Sequence, residues 1–169
     1  MSPGREVRAG ARGAGRLAGR LRPEGPALVL NMPSDTSLLG LVREVTKRAA
    51  ADAGFDPGTA AQIALAVDEA TTNVIEHAYR GAADRDVELR FDARDDAFRV
   101  EIVDSGEMVD PRAMPRVERV DLDRYARERR TGGLGVHLME KIMDSVTFRR
   151  SRRKNVCCLV KKKVGARAG

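Results

Sequence analysis

Apolar positions along this chain recur with two periods, and the periods mark out its elements. Ala27-Leu28-Val29-Leu30-Asn31-Met32 is a strand-like run that Pro33 stops. Ser34 and Asp35 then offer capping side chains to a helix over about residues 36–53, with Leu38, Leu41, Val42 and Val45 expected on one face and Gly54 at its end. Asp56-Pro57 opens a second helix, since a proline near the first helical position removes an N–H that has no partner there anyway. In that helix Ile63, Val67, Ala70, Val74 and Ala78 follow one another at three and four residues. The stripe predicts a buried face running to about Tyr79, closed by Arg80-Gly81.

The period then changes to two. Val87 to Phe91 and Phe98 to Ile102 alternate apolar with polar around Asp95-Asp96, which predicts a hairpin with one buried and one wet face. Residues 105–131 are polar and interrupted by Pro111 and Pro115, the pattern of a lid or a disordered connection, with a short helix expected around 122–129. Gly132-Gly133-Leu134-Gly135 opens a third helix whose Val136, Leu138, Met139, Ile142 and Met143 face the core. Ser145 to Phe148 and Asn155 to Val160 form a closing hairpin turned by Arg152-Arg153-Lys154. The order β-α-α-β-β-lid-α-β-β predicts an α+β two-layer sandwich, a mixed and largely antiparallel sheet with helices on one face.

Composition narrows the partners. The 169 residues suit one domain, and with aromatic residues at 4% and no Trp the chain lacks a stacking platform for single-stranded nucleic acid. The net charge of +6 divides unevenly: residues 1–26 carry +4, residues 149–169 carry +9, and residues 27–148 carry −7. A nucleic-acid binder carries its basic face on the folded domain, so the acidic middle argues against that function. Residues 1–26 are Gly, Ala, Arg and Pro with too few large apolar side chains to offset the entropy of ordering them. We therefore expect a disordered leader over 1–26, a domain over 27–163 and a frayed tail over 164–169. Adjacent Cys157 and Cys158 make neither a disulfide framework nor a zinc site. No apolar run approaches the ~18 residues of a membrane span, and no secretory signal is present, so the expected setting is the cytoplasm.

Three clusters carry candidate chemistry. In the second helix Glu69 and Asn73 stand four apart and project side by side, away from the apolar stripe. A carboxylate there accepts a proton and a carboxamide oxygen ligates a hard cation, although a solvated polar face has the same look. At the end of a strand, Ile102-Val103-Asp104-Ser105-Gly106 offers a carboxylate to an exocyclic amine, with Gly106 letting a ring approach; a simple strand-ending turn reads alike. Gly132, Gly133 and Gly135 precede a helix start whose free N–H groups favour phosphate. This is not a P-loop, because the Gly-Lys-Ser/Thr ending is missing, nor a dinucleotide fingerprint, because Leu138 stands where the last glycine belongs.

In this order the three clusters resemble the GHKL (Bergerat-fold, histidine-kinase-like) ATPases. LALAVDEATTNVIEHAY looks like their N box, IVDSG like their adenine box and TGGLGVHLMEKIMDSV like their second glycine box; within them the pattern is most similar to the anti-sigma-factor serine kinases. The resemblance covers about residues 27–163. It implies ATP and Mg²⁺ as cofactors, Glu69 as catalytic base, Asn73 as Mg²⁺ ligand, Asp104 and Gly106 at the adenine, and Gly132, Gly133 and Gly135 along the phosphates. It further implies a serine on a small anti-anti-sigma protein as substrate, a sigma factor as a second partner, and dimerisation through the sheet. Met108 stands where the wider superfamily has a glycine, and Arg127, Arg129 and Arg130 are all candidates for the lid arginine that, by the same resemblance, helps hold the terminal phosphate. The alternative is a non-catalytic, nucleotide-responsive module that sequesters a sigma factor or another regulator; the retained Glu69 favours the enzyme.

Overall fold

Antiparallel pairing gathers alternating apolar positions onto one face, and the described residues of this chain do so across five strands. The computed structural model describes residues 28–108 and 135–163. Its strands are β1 (Leu28–Pro33), β2 (Asp86–Ala93), β3 (Ala97–Asp104), β4 (Ser145–Ser151) and β5 (Lys154–Lys162). They lie in the order β1-β2-β3-β5-β4, and all four pairings are antiparallel. The register sets Leu30, Leu89, Ile102, Cys157 and Phe148 opposite one another in a single row. Leu89 and Ile102, at the centre of that row, are fully buried, as are Val100 and Leu159 beside them.

Among the described residues, three helices cover this face. Asp35 accepts the Ser37 N–H at 2.8 Å and starts a 3₁₀ turn, Thr36–Leu38, that leads into α1 (Leu39–Asp52). Asp56 accepts the Thr59 N–H at 3.0 Å and caps α2 (Pro57–Asn73), with Pro57 in the first turn as expected. The third, α3, covers Gly135–Ile142. α2 is central, packed against α1 on one side and α3 on the other. All five residues of its stripe, Ile63, Val67, Ala70, Val74 and Ala78, are buried. No helix among the described residues is long and apolar enough to cross a membrane.

Three expectations need correction. Leu41 is 54% exposed, because α1 turns Val42, Thr46 and Ala50 inward instead, and Leu41 lies about 100° round the helix from Val42. Thr46 tolerates full burial because its hydroxyl donates to the Val42 carbonyl at 2.7 Å. The second helix does not end as an α-helix: Val74–Ala78 is a π-helical turn, with the Tyr79 N–H reaching back to the Val74 carbonyl at 2.9 Å. The closing hairpin is longer than its apolar core, and its turn rests on Arg152 at a φ of 57°, with Lys154 already paired in β5. The expected leader, lid helix and tail lie outside the described residues.

The opposite face of the sheet is charged. Arg149 on β4 donates to Glu101 on β3 at 2.8 Å, spanning β5 between them, and Arg90 pairs with both Glu88 and Glu101. Strand alternation sends Cys157 to the helix-covered face and its neighbour Cys158 to this charged face, and both thiols are buried.

Candidate functional site

The site is built where α2, the end of β3 and the start of α3 meet. Glu69 and Asn73 sit one helical turn apart on α2, both half-buried. Gly135 is pressed against them: a Cβ at that position would stand 2.8 Å from Glu69 Oε2 and 3.2 Å from Asn73 Nδ2. The missing side chain therefore lets α3 begin directly over the carboxylate and the carboxamide. What the sequence alone left open as a solvated helix face is a covered one.

Asp104 ends β3 with 5% of its surface exposed. Its Oδ1 accepts the Gly106 N–H at 2.8 Å and the Nδ2 of Asn155 at 2.8 Å. Asn155 is its register partner on β5, and the same Nδ2 also donates to the Gly106 carbonyl at 3.1 Å. Burial pushes the Asp104 carboxyl above its ordinary range, while the Asn155 and Gly106 hydrogen bonds and the nearby Arg150 pull it partly back.

The π turn shapes the wall beside this carboxylate. The Ala78 carbonyl accepts the Glu107 N–H at 2.9 Å, from the chain leaving β3. Gly106 lies so close that a Cβ would collide with that carbonyl and stand 2.8 Å from Ala78 Cβ. Glycine is required here by close approach to the backbone. The Tyr79 hydroxyl accepts the Ser105 N–H at 2.8 Å and donates to the Asp86 carbonyl at 2.7 Å, fixing the same corner. Burial raises the Tyr79 phenol, which stays protonated at neutral pH.

One cavity has Asn73, Asp104, Asn155, Val136 and Cys157 among its walls. Burial pushes the Cys157 thiol up to about 12, so it contributes an apolar surface and no nucleophile. Of the residues expected from sequence, Asn73 and Asp104 line this cavity; Glu69 and Gly135 meet beside Asn73, and Gly106 is bonded to Asp104. Gly132 and Gly133 lie outside the described residues, as do Arg127, Arg129 and Arg130. His77 is exposed, and neither it nor His137 lines the cavity. Sequence reasoning missed Asn155 and the Ala78 carbonyl, because only the strand register and the π turn deliver them. Among the described residues no group of three or more His, Cys, Asp or Glu side chains is placed to hold a metal. With largely apolar walls, the buried acceptor Asp104 and the carboxamide of Asn73, the cleft suits a flat amine-bearing ring.

Comparison with known proteins is consistent with that chemistry. The family model of the histidine kinase-like ATPase domain matches residues 32–161. The serine-protein kinase RsbW of Listeria monocytogenes is 29% identical over 120 residues, spanning 70% of this chain and 76% of that protein. The serine-protein kinase RsbW of Bacillus velezensis is 30% identical over 122 residues, spanning 69% of this chain and 74% of that protein. Among solved structures, the SiaB–SiaC complex from Pseudomonas aeruginosa aligns with a TM-score of 0.54 at 18% identity, covering 83% of this chain and 90% of that one, a likeness of fold.

Proposed function

The chain belongs to the histidine kinase-like ATPase family and to its branch of RsbW-type anti-sigma-factor serine kinases, and from that membership we propose a specific reaction for its cleft. The protein transfers the terminal phosphoryl group of ATP to a serine of a small anti-anti-sigma protein in the cytoplasm. Phosphorylation releases that protein and leaves the kinase to hold a sigma factor, with a sheet-mediated homodimer as the acting form.

The observation that carries the reading is a cleft lined by both Asn73 and Asp104, with Glu69 and Gly135 meeting beside Asn73. Asp104 accepts a hydrogen bond from the amino group of adenine, and Gly106 keeps the wall beside it thin. Gly135, with Gly132 and Gly133 before it, borders the phosphates. Glu69 orients the incoming serine hydroxyl and takes its proton as the oxygen attacks. An ordinary carboxylate is a weak base toward an alcohol, so most of its contribution is positioning.

The donor set fits Mg²⁺, which is commonly held by one or two protein oxygens together with substrate phosphates. Asn73 supplies such an oxygen on the wall of the cleft. When bound there, the cation neutralises charge on the transferring phosphoryl group.

The test is transfer from γ-labelled ATP to a candidate anti-anti-sigma protein. Glu69→Ala should bind Mg-ATP within about threefold of the wild type and lose transfer by roughly 10²–10⁴. Wild-type transfer by that variant would remove Glu69 from the reaction.

A further inference from the structure

We infer that Asn155 is a positioning residue for the nucleotide base, clamping one oxygen of Asp104 so that the other faces an amino-bearing ring edge. The inference deepens the nucleotide reading above and rests on it.

Asp104 and Asn155 face each other across β3 and β5. The amide nitrogen of Asn155 has two hydrogens, and both are used, one on Asp104 Oδ1 at 2.8 Å and one on the Gly106 carbonyl at 3.1 Å. Both neighbours are acceptors, so turning the amide over would set oxygen against oxygen, and its orientation is fixed. Asp104 Oδ1 also receives the Gly106 N–H at 2.8 Å. Rotating the carboxylate would break two hydrogen bonds at once. Asp104 Oδ2 takes no hydrogen bond among the described residues. It is left as an acceptor of fixed direction at the end of the cleft that Asn155 itself lines. Such an oxygen pairs with the N–H of a 6-aminopurine and opposes the carbonyl of a 6-oxopurine. The Oδ1 of Asn155 is buried and accepts nothing among the described residues, so its two donated bonds alone anchor the side chain.

Electrostatics work in the same direction. Burial raises the Asp104 carboxyl, and Asn155 is first among the groups that lower it, followed by the Gly106 N–H and Arg150 of β4. Tyr79, beyond α2, and Cys157 of β5 also sense its charge and are themselves neutral at pH 7, while the charged Glu107 and Arg149 line the same cavity. Asn155 thus favours the ionised, acceptor-only form of Asp104.

The experiment titrates the full-length protein with ATP and with inosine triphosphate from pH 5 to 8. For Asn155→Ala we expect the ATP Kd at pH 7 to rise about tenfold, as for loss of a hydrogen bond to a charged group. The ATP-over-inosine preference should shrink by a similar factor, and the acid-side loss of ATP affinity should move to higher pH. Asn155→Asp preserves the shape but sets a second carboxylate beside the first, and its profile should move further in the same direction. That variant carries the test if circular dichroism shows that the alanine variant does not fold. Equal weakening of both nucleotides with an unmoved pH profile, or no change at all, overturns the inference. A wild-type protein that binds neither nucleotide overturns the nucleotide reading itself, so the two failures are distinct.

Discussion

Asp104 is asked to be buried and ionised together, and the two demands oppose each other. Because burial raises its carboxyl in the folded state, the fold binds a proton there more tightly than the unfolded chain does. Below the ordinary carboxylate range Asp104 is protonated in both states and is neutral to stability. As pH rises through the window up to its raised folded value, ionisation destabilises the fold, and the loss is complete above that window. Nucleotide affinity should run the other way, since the acceptor form appears over the same window. Asp104→Asn separates these effects: its Oδ1 keeps the bonds from Gly106 and Asn155, while an amide N–H₂ replaces the reading oxygen. Urea denaturation at pH 7 should show the nucleotide-free variant more stable than the wild type, with the difference vanishing toward pH 4. Calorimetry should show ATP affinity reduced about a hundredfold or more, because a ligand N–H then meets a donor. Comparing variant with wild type isolates Asp104 from Asp35 and Asp56, whose helix-capping hydrogen bonds hold their carboxyls low.

Among the elements, α3 determines whether the site exists, since it carries Gly135 onto Glu69 and Asn73. Leu138 is its fully buried anchor. Leu138→Ala should cost about 2–5 kcal/mol of stability by urea denaturation. It should also weaken ATP binding beyond that global loss, measured at a temperature where the variant is fully folded. Much at this scale was legible beforehand. The α2 stripe, the two hairpins, the Glu69–Asn73 pair and the Asp104–Gly106 strand end follow from side-chain period and type, and the long α2 stripe leaves little room for another reading. The π turn was not legible, because a bond to the fifth residue back has no compositional signature, yet it presents the Ala78 carbonyl to Glu107. Leu41 was misplaced because small residues rather than large ones let α1 approach α2. Asn155 was invisible because its importance comes from a register that joins positions 51 residues apart.

For the whole molecule, the charge pattern and the two-faced sheet divide the work. The cleft and the apolar core occupy the helix side, while the far side carries ion pairs of Arg149 and Arg90 with Glu101 and Glu88, in which the arginines are 58% and 35% exposed and Glu101 only 13%. The paired thiols of β5 straddle this division, and that makes them a native clock for the molecule's openings. With its thiol up at about 12, Cys157 has only roughly one part in 10⁵ thiolate at pH 7, so a maleimide should reach it only when the core parts. Cys158 needs no more than a breath of the outer face, where Arg149 lets go of Glu101. Peptide mass spectrometry after timed labelling should find Cys158 modified first. Saturation with ATP at a hundred times its Kd should slow Cys157 about a hundredfold while barely touching its neighbour. Two consecutive sulfur atoms would then report, in a single experiment, how often the sheet ripples and how often the whole fold lets go.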